Sequence, residues 1–244
     1  MFNLKNHPFA VETHFEDSIV LTYAIAKEEL QDLVPECLEL DTFDNKWAFI
    51  ALAMVNTKDL RPKGLPKFIG NDFFLIGYRV FVRYTDKRGK RLRGLYILKS
   101  ETNKSKMSFF GNIFTHYNYT TTDISIKKEN ENLNIRSEKS GLDVIVNSSK
   151  TDIHLPKQSP FSDWKEARRF AGPLPFTFTY NEESKEVLII EGVRQNWKPK
   201  PLHVEKAMVK FIKEKDFKNI HLANAFVVSN IPYCWKKGKK EQWK

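Results

Sequence analysis

Two arginines lie four positions apart in residues 73–84, a segment with the composition of a buried strand. Side chains alternate across a strand, so Arg79 and Arg83 share one face. The same face carries Leu75, Gly77 and Phe81. A guanidinium in an apolar interior is costly without a carboxylate or an anionic ligand, so if this face points inward, Arg79 is a candidate anion-binding residue with Leu75 and Phe81 beside it. In the alternative, both arginines lie on the outer face, while Val80 and Val82 form the core.

A histidine among tyrosines is the second chemical candidate, in His116-Tyr117-Asn118-Tyr119. Imidazole has an ordinary pKa that lets it donate or accept a proton near neutral pH. His116 and Tyr117 are therefore the candidate catalytic residues for proton transfer. The alternative is a histidine packed among aromatic rings, with a hydrogen bond that serves only the structure.

Other motifs with a known chemistry are missing from the sequence. The glycines are few and dispersed, and there is no phosphate loop, dinucleotide fingerprint or Gly-x-Ser-x-Gly elbow. Glu12-Thr-His14 is the only close pair of an acid and a histidine, and it is a weak zinc candidate. We therefore expect neither a metal nor an organic cofactor.

Length and composition predict a folded chain without a membrane span. The 244 residues are 41% hydrophobic and include 19 Phe, 8 Tyr and 5 Trp, enough for a sizeable core. No apolar run approaches the roughly 18 to 20 residues of a membrane span, and residues 1–8 lack the apolar centre of a signal peptide. Cys37 and Cys234 lie far apart and are expected to be reduced thiols. We expect a cytoplasmic protein with no membrane partner.

The formal net charge of +10 keeps a second class of function open, a non-catalytic protein associated with nucleic acid. Interleaved aromatic residues such as Tyr78, Phe81 and Tyr84 would stack on bases in that case. Nucleic acid is nevertheless an unfavoured partner, because the lysines form no compact stripe. The densest basic run, Lys236-Lys-Gly-Lys-Lys240, has the character of a solvated tail.

Strand signals dominate the chain and are separated by turn residues. Helical spacing or good helix formers occur only in residues 27–34, 106–114 and 162–170, the last with Ser162 as the expected cap and Gly172-Pro-Leu-Pro175 as its end. Hairpin turns are expected at residues 86–89 and 181–184. The predicted strands are residues 18–26, 47–55, 73–84, 92–98, 117–126, 133–137, 142–146, 176–180, 187–193, 202–211 and 225–231. This pattern predicts one mainly β domain over residues 1–244, an antiparallel barrel or sandwich.

Three stretches carry a resemblance to a known family. Residues 19–40 contain a strand ending in Thr22-Tyr23, a helix and then Val34-Pro-Glu-Cys-Leu38. Arg61-Pro-Lys-Gly-Leu-Pro66 precedes Gly70-Asn-Asp-Phe73 and the arginine-bearing strand, and Gly94-Leu-Tyr-Ile-Leu98 follows. Together they resemble the DUF2071 (YqjF-like) proteins, relatives of acetoacetate decarboxylase. The resemblance implies a closed antiparallel β-barrel with a central cavity and a few short peripheral helices.

The decarboxylases use a lysine that forms a Schiff base, with a second lysine that lowers its pKa. The resemblance places the Gly-Phe-Pro-Lys-Lys segment of the decarboxylases on residues 112–117, so that their lysine pair corresponds to His116 and Tyr117. Their cavity arginine corresponds to Glu16, and their cavity glutamate corresponds to Leu75. Histidine forms no Schiff base with a ketone. Lys127-Lys128 is the only nearby lysine doublet, and it lies about ten residues downstream in a polar setting. Schiff-base decarboxylation is therefore not expected.

The sequence favours a protein that binds a small organic carboxylate or a similar anionic metabolite in the cavity. Arg79 would be the anion anchor, and Glu16 its buried counter-charge, so that loss of either residue should destabilise the fold. His116 with Tyr117 would carry any proton transfer on a keto or enol acid. Whether the protein is an enzyme is left open, as is its oligomeric state, with a homo-oligomer among the options.

Overall fold

Long strands make up most of the molecule in the computed structural model, which describes residues 4–172 and 174–243. Several of them run for 12 residues or more, far enough to span a domain. The strands are β1 (Val11–Ala26), β2 (Glu39–Leu40), β3 (Trp47–Pro62), β4 (Asn71–Thr85), β5 (Arg91–Thr102), β6 (Tyr119–Thr121), β7 (Ser125–Glu129), β8 (Asn132–Ser137), β9 (Leu142–Asn147), β10 (Phe176–Asn181), β11 (Glu186–Arg194), β12 (Lys200–Pro201), β13 (His203–Val209), β14 (Ile220–Trp235) and β15 (Lys239–Gln242).

The helices are short and lie between the strands. They are α1 (Lys27–Leu30), α2 (Ser105–Phe114), α3 (Trp164–Phe170) and α4 (Lys210–Lys213), with 3₁₀ turns at Leu4–Asn6, Gln31–Leu33 and Lys67–Ile69. Within the described ranges, no helix has the length and the apolar character needed to cross a bilayer. Residues 1–3, Pro173 of the predicted helix stop and Lys244 lie outside the described residues.

Seven strands form a hydrogen-bonded ring in the order β14, β1, β3, β4, β5, β10 and β11, and β11 pairs back with β14. The junctions are antiparallel except the one between β5 and β10, which is parallel. The mainly β ring with a few short helices confirms the predicted fold. The parallel junction is a local departure from it, since α2, α3 and β6–β9 intervene between β5 and β10 along the chain.

Both faces of the ring are buried, and β3 shows why its sequence is continuously apolar. Ala51, Ala53 and Val55 point into the ring, where their small size leaves space. The alternate residues Ile50, Leu52 and Met54 point outwards into the main hydrophobic core. A second sheet, in the order β13, β9, β8 and β7, contributes Ile135, Val144 and Val146 to that same core. The outer face of the ring is thus covered instead of facing water.

Different elements cover the two ends of the ring. At one end, α3 and the loop before it supply Phe161 and Phe170, which pack around Phe49 with ring centroids 5.5 and 5.0 Å away. At the other end, α2 meets the N-terminal segment, where the Phe9 and Phe114 ring centroids are 5.2 Å apart. Large aromatic side chains therefore bound the interior at both ends, and the space between them is where a ligand would lie.

The strands β1, β3 and β14 are longer than predicted, and three other elements differ from the prediction in their interior, end or cap. The predicted strand at residues 117–126 is divided into β6 and β7, which belong to different sheets. Thr122 marks the break, where its hydroxyl lies 2.9 Å from those of Ser137 and Ser140. The predicted strand at residues 202–211 ends in α4. The cap of α3 is Asp163, whose Oδ1 accepts the Glu166 backbone N–H at 2.7 Å, and not Ser162.

Candidate functional site

A cavity of about 440 Å³ lies inside the ring. Its wall is mostly apolar and aromatic, and the volume suits one small organic molecule. Four cationic side chains reach it, namely Arg61, Arg79, Lys106 and Arg194. Among the described residues that line it, none is an aspartate or a glutamate. The cavity is therefore an electropositive space with no acidic group of its own.

Two of the four cations are accounted for without a ligand. Arg61 binds the Glu12 carboxylate, with Nη2 2.6 Å from Oε1. Lys106 is an exposed residue of α2, so water solvates its ammonium group at the rim. Arg79 and Arg194 remain, and both are partly buried.

Arg79 lies in the middle of β4 and faces the interior. Its side chain folds back over Gly77, where a Cβ atom would lie only 3.0 Å from the Arg79 Nε. That Nε is buried and has no hydrogen-bond partner. In the described part of the chain, no carboxylate oxygen lies within 4.0 Å of the guanidinium nitrogens. Arg79 is thus a partly buried cation that has no counter-charge among the described residues.

Arg194, at the end of β11, enters the cavity from the opposite wall of the ring. Its Nη2 donates to the Leu174 carbonyl at 3.0 Å. The guanidinium carbon lies 4.9 Å from the Trp197 ring centroid and 5.3 Å from that of Tyr233, so the cation stacks on aromatic faces. Burial lowers the pKa of Arg194, Tyr233 opposes this, and the nearby charge of Arg79 lowers it further.

Tyrosines supply the hydrogen-bonding groups beside Arg79. Burial raises the pKa of Tyr119 to about 12 and that of Tyr117 further still, while the positive charge of Arg79 opposes both shifts. The two rings lie 6.2 Å apart. The Tyr117 hydroxyl is buried near Thr177 but has no hydrogen bond of good geometry. Both phenols stay neutral near pH 7 and can donate to an oxygen atom in the cavity.

Four of the residues singled out from the sequence do line the cavity. They are Leu75, Arg79, Phe81 and Tyr117. The alternative that Arg79 lies on the outer face was wrong. Val80 and Val82 nevertheless form core on the other face of β4, as that alternative also stated. Arg83, on the same face as Arg79, lies beyond the cavity and forms an ion pair with Asp41.

The predicted pairing of Glu16 with Arg79 was wrong. The side chain of Glu16 is 46% exposed, and its Oε2 accepts from Asn56 Nδ2 at 2.6 Å. The reason is a β-bulge: Phe15 and Asp17 of β1 oppose the consecutive residues Thr57 and Asn56 of β3, which leaves Glu16 as the extra residue. A bulge reverses the inward and outward alternation, so Glu16 turns to solvent.

The predicted catalytic role of His116 inside the cavity was also wrong in its placement. His116 does not line the cavity, and its Nε2 lies 3.4 Å from Asn6 Oδ1. Burial, then the charges of Lys5 and Lys240, lower the pKa of His116. Its neighbour Tyr117 takes the inward position, and adjacent residues in an extended segment point in different directions. Lys127 and Lys128 are exposed on β7, away from the cavity.

Arg194, Tyr233, Trp235 and His7 line the cavity but were not proposed from the sequence. A signal for Arg194 was present. Leu75-x-Gly77-x-Arg79 and Ile190-x-Gly192-x-Arg194 share the same spacing of an apolar residue, a glycine and an arginine on one strand face. Each glycine makes room, the first for the Arg79 guanidinium and the second for the Tyr233 hydroxyl.

The geometry of the described residues gives little support to a metal site or to a nucleic-acid site. In the described ranges, no group of three or more His, Cys, Asp or Glu residues could hold a metal ion. Tyr78, Phe81 and Tyr84, the aromatic residues considered for base stacking, are 0%, 3% and 3% exposed. They are core residues, which removes the aromatic part of the case for nucleic-acid binding.

The ring of strands around an internal cavity is the acetoacetate decarboxylase-like fold. The structure is similar to acetoacetate decarboxylase from Legionella pneumophila, with a TM-score of 0.61 and 13% identity over 96% of this chain and 88% of that one. It is also similar to the enduracididine biosynthesis enzyme MppR complexed with pyruvate, with a TM-score of 0.56 and 8% identity over 96% and 90% of the two chains. At these identities the likeness establishes the fold alone.

The family follows from the sequence match. The profile of DUF2071, described as an uncharacterized conserved protein (COG2071), matches residues 12–236. The chain belongs to this family. No curated protein matches it.

Proposed function

We propose that this protein, as a single domain, binds a small organic carboxylate in the cavity with Arg79 as the anion anchor. The observation that carries the proposal is the cavity's charge: two partly buried arginines and, among the described lining residues, no carboxylate. A carboxylate ligand would accept charge-assisted hydrogen bonds from Arg79, including its unpartnered Nε. The ligand thereby supplies the counter-charge that Glu16 does not.

Tyr117 gives the proposed site a preference for an oxygen next to the carboxylate. Among the described residues, its buried hydroxyl has no hydrogen bond of good geometry, and its raised pKa keeps it protonated. A keto or enol oxygen of the ligand would be a suitable acceptor. The pyruvate named in the MppR complex is a 2-keto acid, which makes pyruvate a reasonable first probe for this chain. A neutral phenol of this kind is suited to polarising a carbonyl or donating a proton, and is a poor general base.

Schiff-base decarboxylation is not part of the proposal. Lys106 is the only lysine among the described lining residues, and it is exposed at the rim without a second lysine beside it in the wall. Such an amine lacks the paired charge that holds a catalytic lysine deprotonated. Incubation with acetoacetate and borohydride should therefore leave no reduced adduct, as measured by mass spectrometry of the intact protein. A substrate-sized adduct, mapped to Lys106 or to Lys127 or Lys128, would overturn this conclusion.

The binding proposal is tested by isothermal titration calorimetry with pyruvate and 2-oxobutyrate at constant ionic strength. The native protein should bind, and Arg79→Met should weaken binding by at least about tenfold, because a charge-assisted hydrogen bond contributes about 1.5 to 3 kcal/mol. Arg91→Met is the matched control, since Arg91 is a strand arginine that pairs with Glu39 on the surface. It should leave the affinity unchanged.

Two results would contradict the proposal. One is a native protein that binds neither keto acid and none of a panel of simple monocarboxylates. The other is equal binding by the native protein and Arg79→Met, which would place the anion elsewhere. A weaker but measurable loss in Tyr117→Phe, which removes only the hydroxyl, would support the role of that group as a donor to the ligand.

A further inference from the structure

The second arginine of the cavity extends the proposed function. Arg194 is not needed to bind one carboxylate at Arg79, yet it is directed into the same cavity from the opposite wall. We propose that the ligand is a dicarboxylate with a short apolar body, held with one carboxylate at Arg79 and the other at Arg194. This inference rests on the proposed function and names the substrate class of the same site.

The placement of the two arginines comes from the strand order of the ring. Arg79 is on β4 and Arg194 on β11, which are separated by β5 and β10 on one side and by β3, β1 and β14 on the other. The two side chains therefore enter the cavity from opposite sides of the ring instead of from one wall. A ligand that bridges them must carry acceptors at both of its ends.

The charge balance of the cavity favours a ligand with more than one negative charge. Repulsion from Arg79 already contributes to the lowered pKa of Arg194, so the two cations are close enough to oppose each other when the site is empty. A monoanion leaves one net positive charge in a largely apolar enclosure, whereas a dianion neutralises both. Stacking on Trp197 and Tyr233 holds Arg194 in place but removes none of its charge.

The surface between the arginines favours an apolar linker. On the β4 side, the wall near Arg79 is formed by Leu75, Phe81, Leu95 and Ile97. On the other side, Tyr233 and Trp235 face Phe15, with the Phe15 and Tyr233 ring centroids 4.9 Å apart. Methylene groups would contact these side chains favourably, and a heavily hydroxylated ligand would lose hydrogen bonds to water there.

The first measurement uses the native protein and pairs of ligands that differ in one carboxylate. Butanoate is compared with butanedioate, and pentanoate with pentanedioate, by calorimetry at fixed ionic strength and pH 7.5. At least one dicarboxylate should bind about tenfold or more tightly than its partner, since a second charge-assisted contact contributes about 1.5 to 3 kcal/mol. Inorganic phosphate is a third arm. If phosphate binds as tightly as the better dicarboxylate, the site recognises a compact dianion and the proposal is overturned.

The second measurement tests whether Arg194 is responsible for the preference for a dicarboxylate. Arg194→Gln keeps a donor for the Leu174 carbonyl while removing the charge. It should abolish the preference for the dicarboxylate, because the affinity for the dicarboxylate should fall by about tenfold more than the affinity for the monocarboxylate. Arg194→Lys should retain part of the preference, because it keeps the charge without the planar fork. Equal weakening of both ligand types by Arg194→Gln would make Arg194 part of a single anion site and would contradict the proposal.

Failure of this inference can be told apart from failure of the proposed function. If monocarboxylates and dicarboxylates bind equally and Arg79→Met removes both, the carboxylate site stands and the second carboxylate is refuted. If no carboxylate of any kind binds, both fail together. The comparison within the native protein does not depend on any variant folding, so a destabilised Arg194→Gln leaves the first measurement decisive.

Discussion

Arg79 and Arg83 lie on the same face of the same strand, four residues apart, and they differ in whether a carboxylate lies beside them. Arg83 forms an ion pair with Asp41, a side chain with 0% exposure, and Arg93 donates from Nε to the same carboxylate at 2.6 Å. Arg93 is further fixed by the Phe170 carbonyl at 2.9 Å and by the Phe170 ring at 4.9 Å. Arg79 has no such carboxylate among the described residues.

The difference separates an arginine whose charge is paired within the fold from one that we propose binds a ligand. At Asp41, two cations share one buried anion, and because the arginine side chains are 27% and 36% exposed, water solvates the remaining positive charge. At Arg79, the desolvation cost is carried by the folded protein before any ligand arrives, which strengthens the attraction for an anion that enters. Two arginines on one strand thus differ in their electrostatic surroundings, because only one of them has a carboxylate beside it among the described residues.

The largest expected effect is the loss of stability on substitution of Asp41. Asp41→Asn leaves Arg83 and Arg93 without their shared carboxylate. Loss of one partner of a buried pair costs about 3 to 5 kcal/mol, and the lower end applies because the arginine side chains are 27% and 36% exposed. The melting temperature should fall by roughly 6 to 12 °C in calorimetry. Carboxylate binding at 20 °C should be unchanged, and a loss of binding would mean that the two regions are coupled.

The opposite change in melting temperature is expected from a substitution of Arg79. Arg79→Met replaces an uncompensated cation by an apolar side chain of similar length, so the melting temperature should rise by about 2 to 4 °C. Ligand affinity should fall in the same variant. A marked loss of stability would show that Arg79 has a counter-charge after all, and the contrast with Arg83 would disappear. Thermal unfolding without and with pyruvate measures both properties in one series.

A smaller effect concerns another unpartnered group of the cavity wall, His7. Its Nδ1 is buried without a hydrogen bond, and burial lowers the pKa of His7 despite opposing contacts with backbone carbonyls. The unfolded chain then binds more protons than the folded one. Stability should therefore fall as the pH drops through the unfolded value of about 6.5, and level off below the folded pKa. His7→Asn should flatten this part of the curve of melting temperature against pH.

The control for His7 is His154→Asn, since the side chain of His154 is 86% exposed. That variant should follow the native curve. If the His7→Asn variant also follows the native curve, the imidazole of His7 has a partner that satisfies its charged form. His7 would then not be an unpartnered group of the cavity wall.

The smallest effect is expected at Glu16. It is exposed, with a hydrogen bond to Asn56 and a 4.0 Å ion pair with Lys58, so Glu16→Gln should change stability by no more than about 0.5 kcal/mol. The double variant with Arg79→Met should be additive, because the two side chains share no contact. A coupling energy above about 1 kcal/mol would restore the buried Glu16–Arg79 pair and reverse the conclusion about the bulge.

The sequence by itself determined most of the scaffold. Apolar runs bounded by turn residues located the ring strands, and the hairpin at Asp86–Gly89 is present, with Gly89 at a φ of 76° and Asp86 donating to the Lys90 carbonyl at 3.0 Å. Strand alternation also placed Leu75, Arg79 and Phe81 together on one face of β4, and the structure shows that this face points inward. These features depend on residues near each other in the chain, where the backbone period of two holds without knowledge of the rest.

The tertiary structure decided which charges meet. A bulge in β1 is set by the register against β3, so the outward turn of Glu16 cannot be derived from residues 11–26 alone. Asp41 reaches Arg83 and Arg93 because β2 pairs with β4, and Arg194 reaches the cavity because β11 closes the ring onto β14. The Gly-x-Arg spacing marks both arginines in the sequence, but only closure of the ring places them on opposite walls of one space. Long-range pairing sets the distances between charges, and those distances determine whether an arginine is neutralised or left for a ligand.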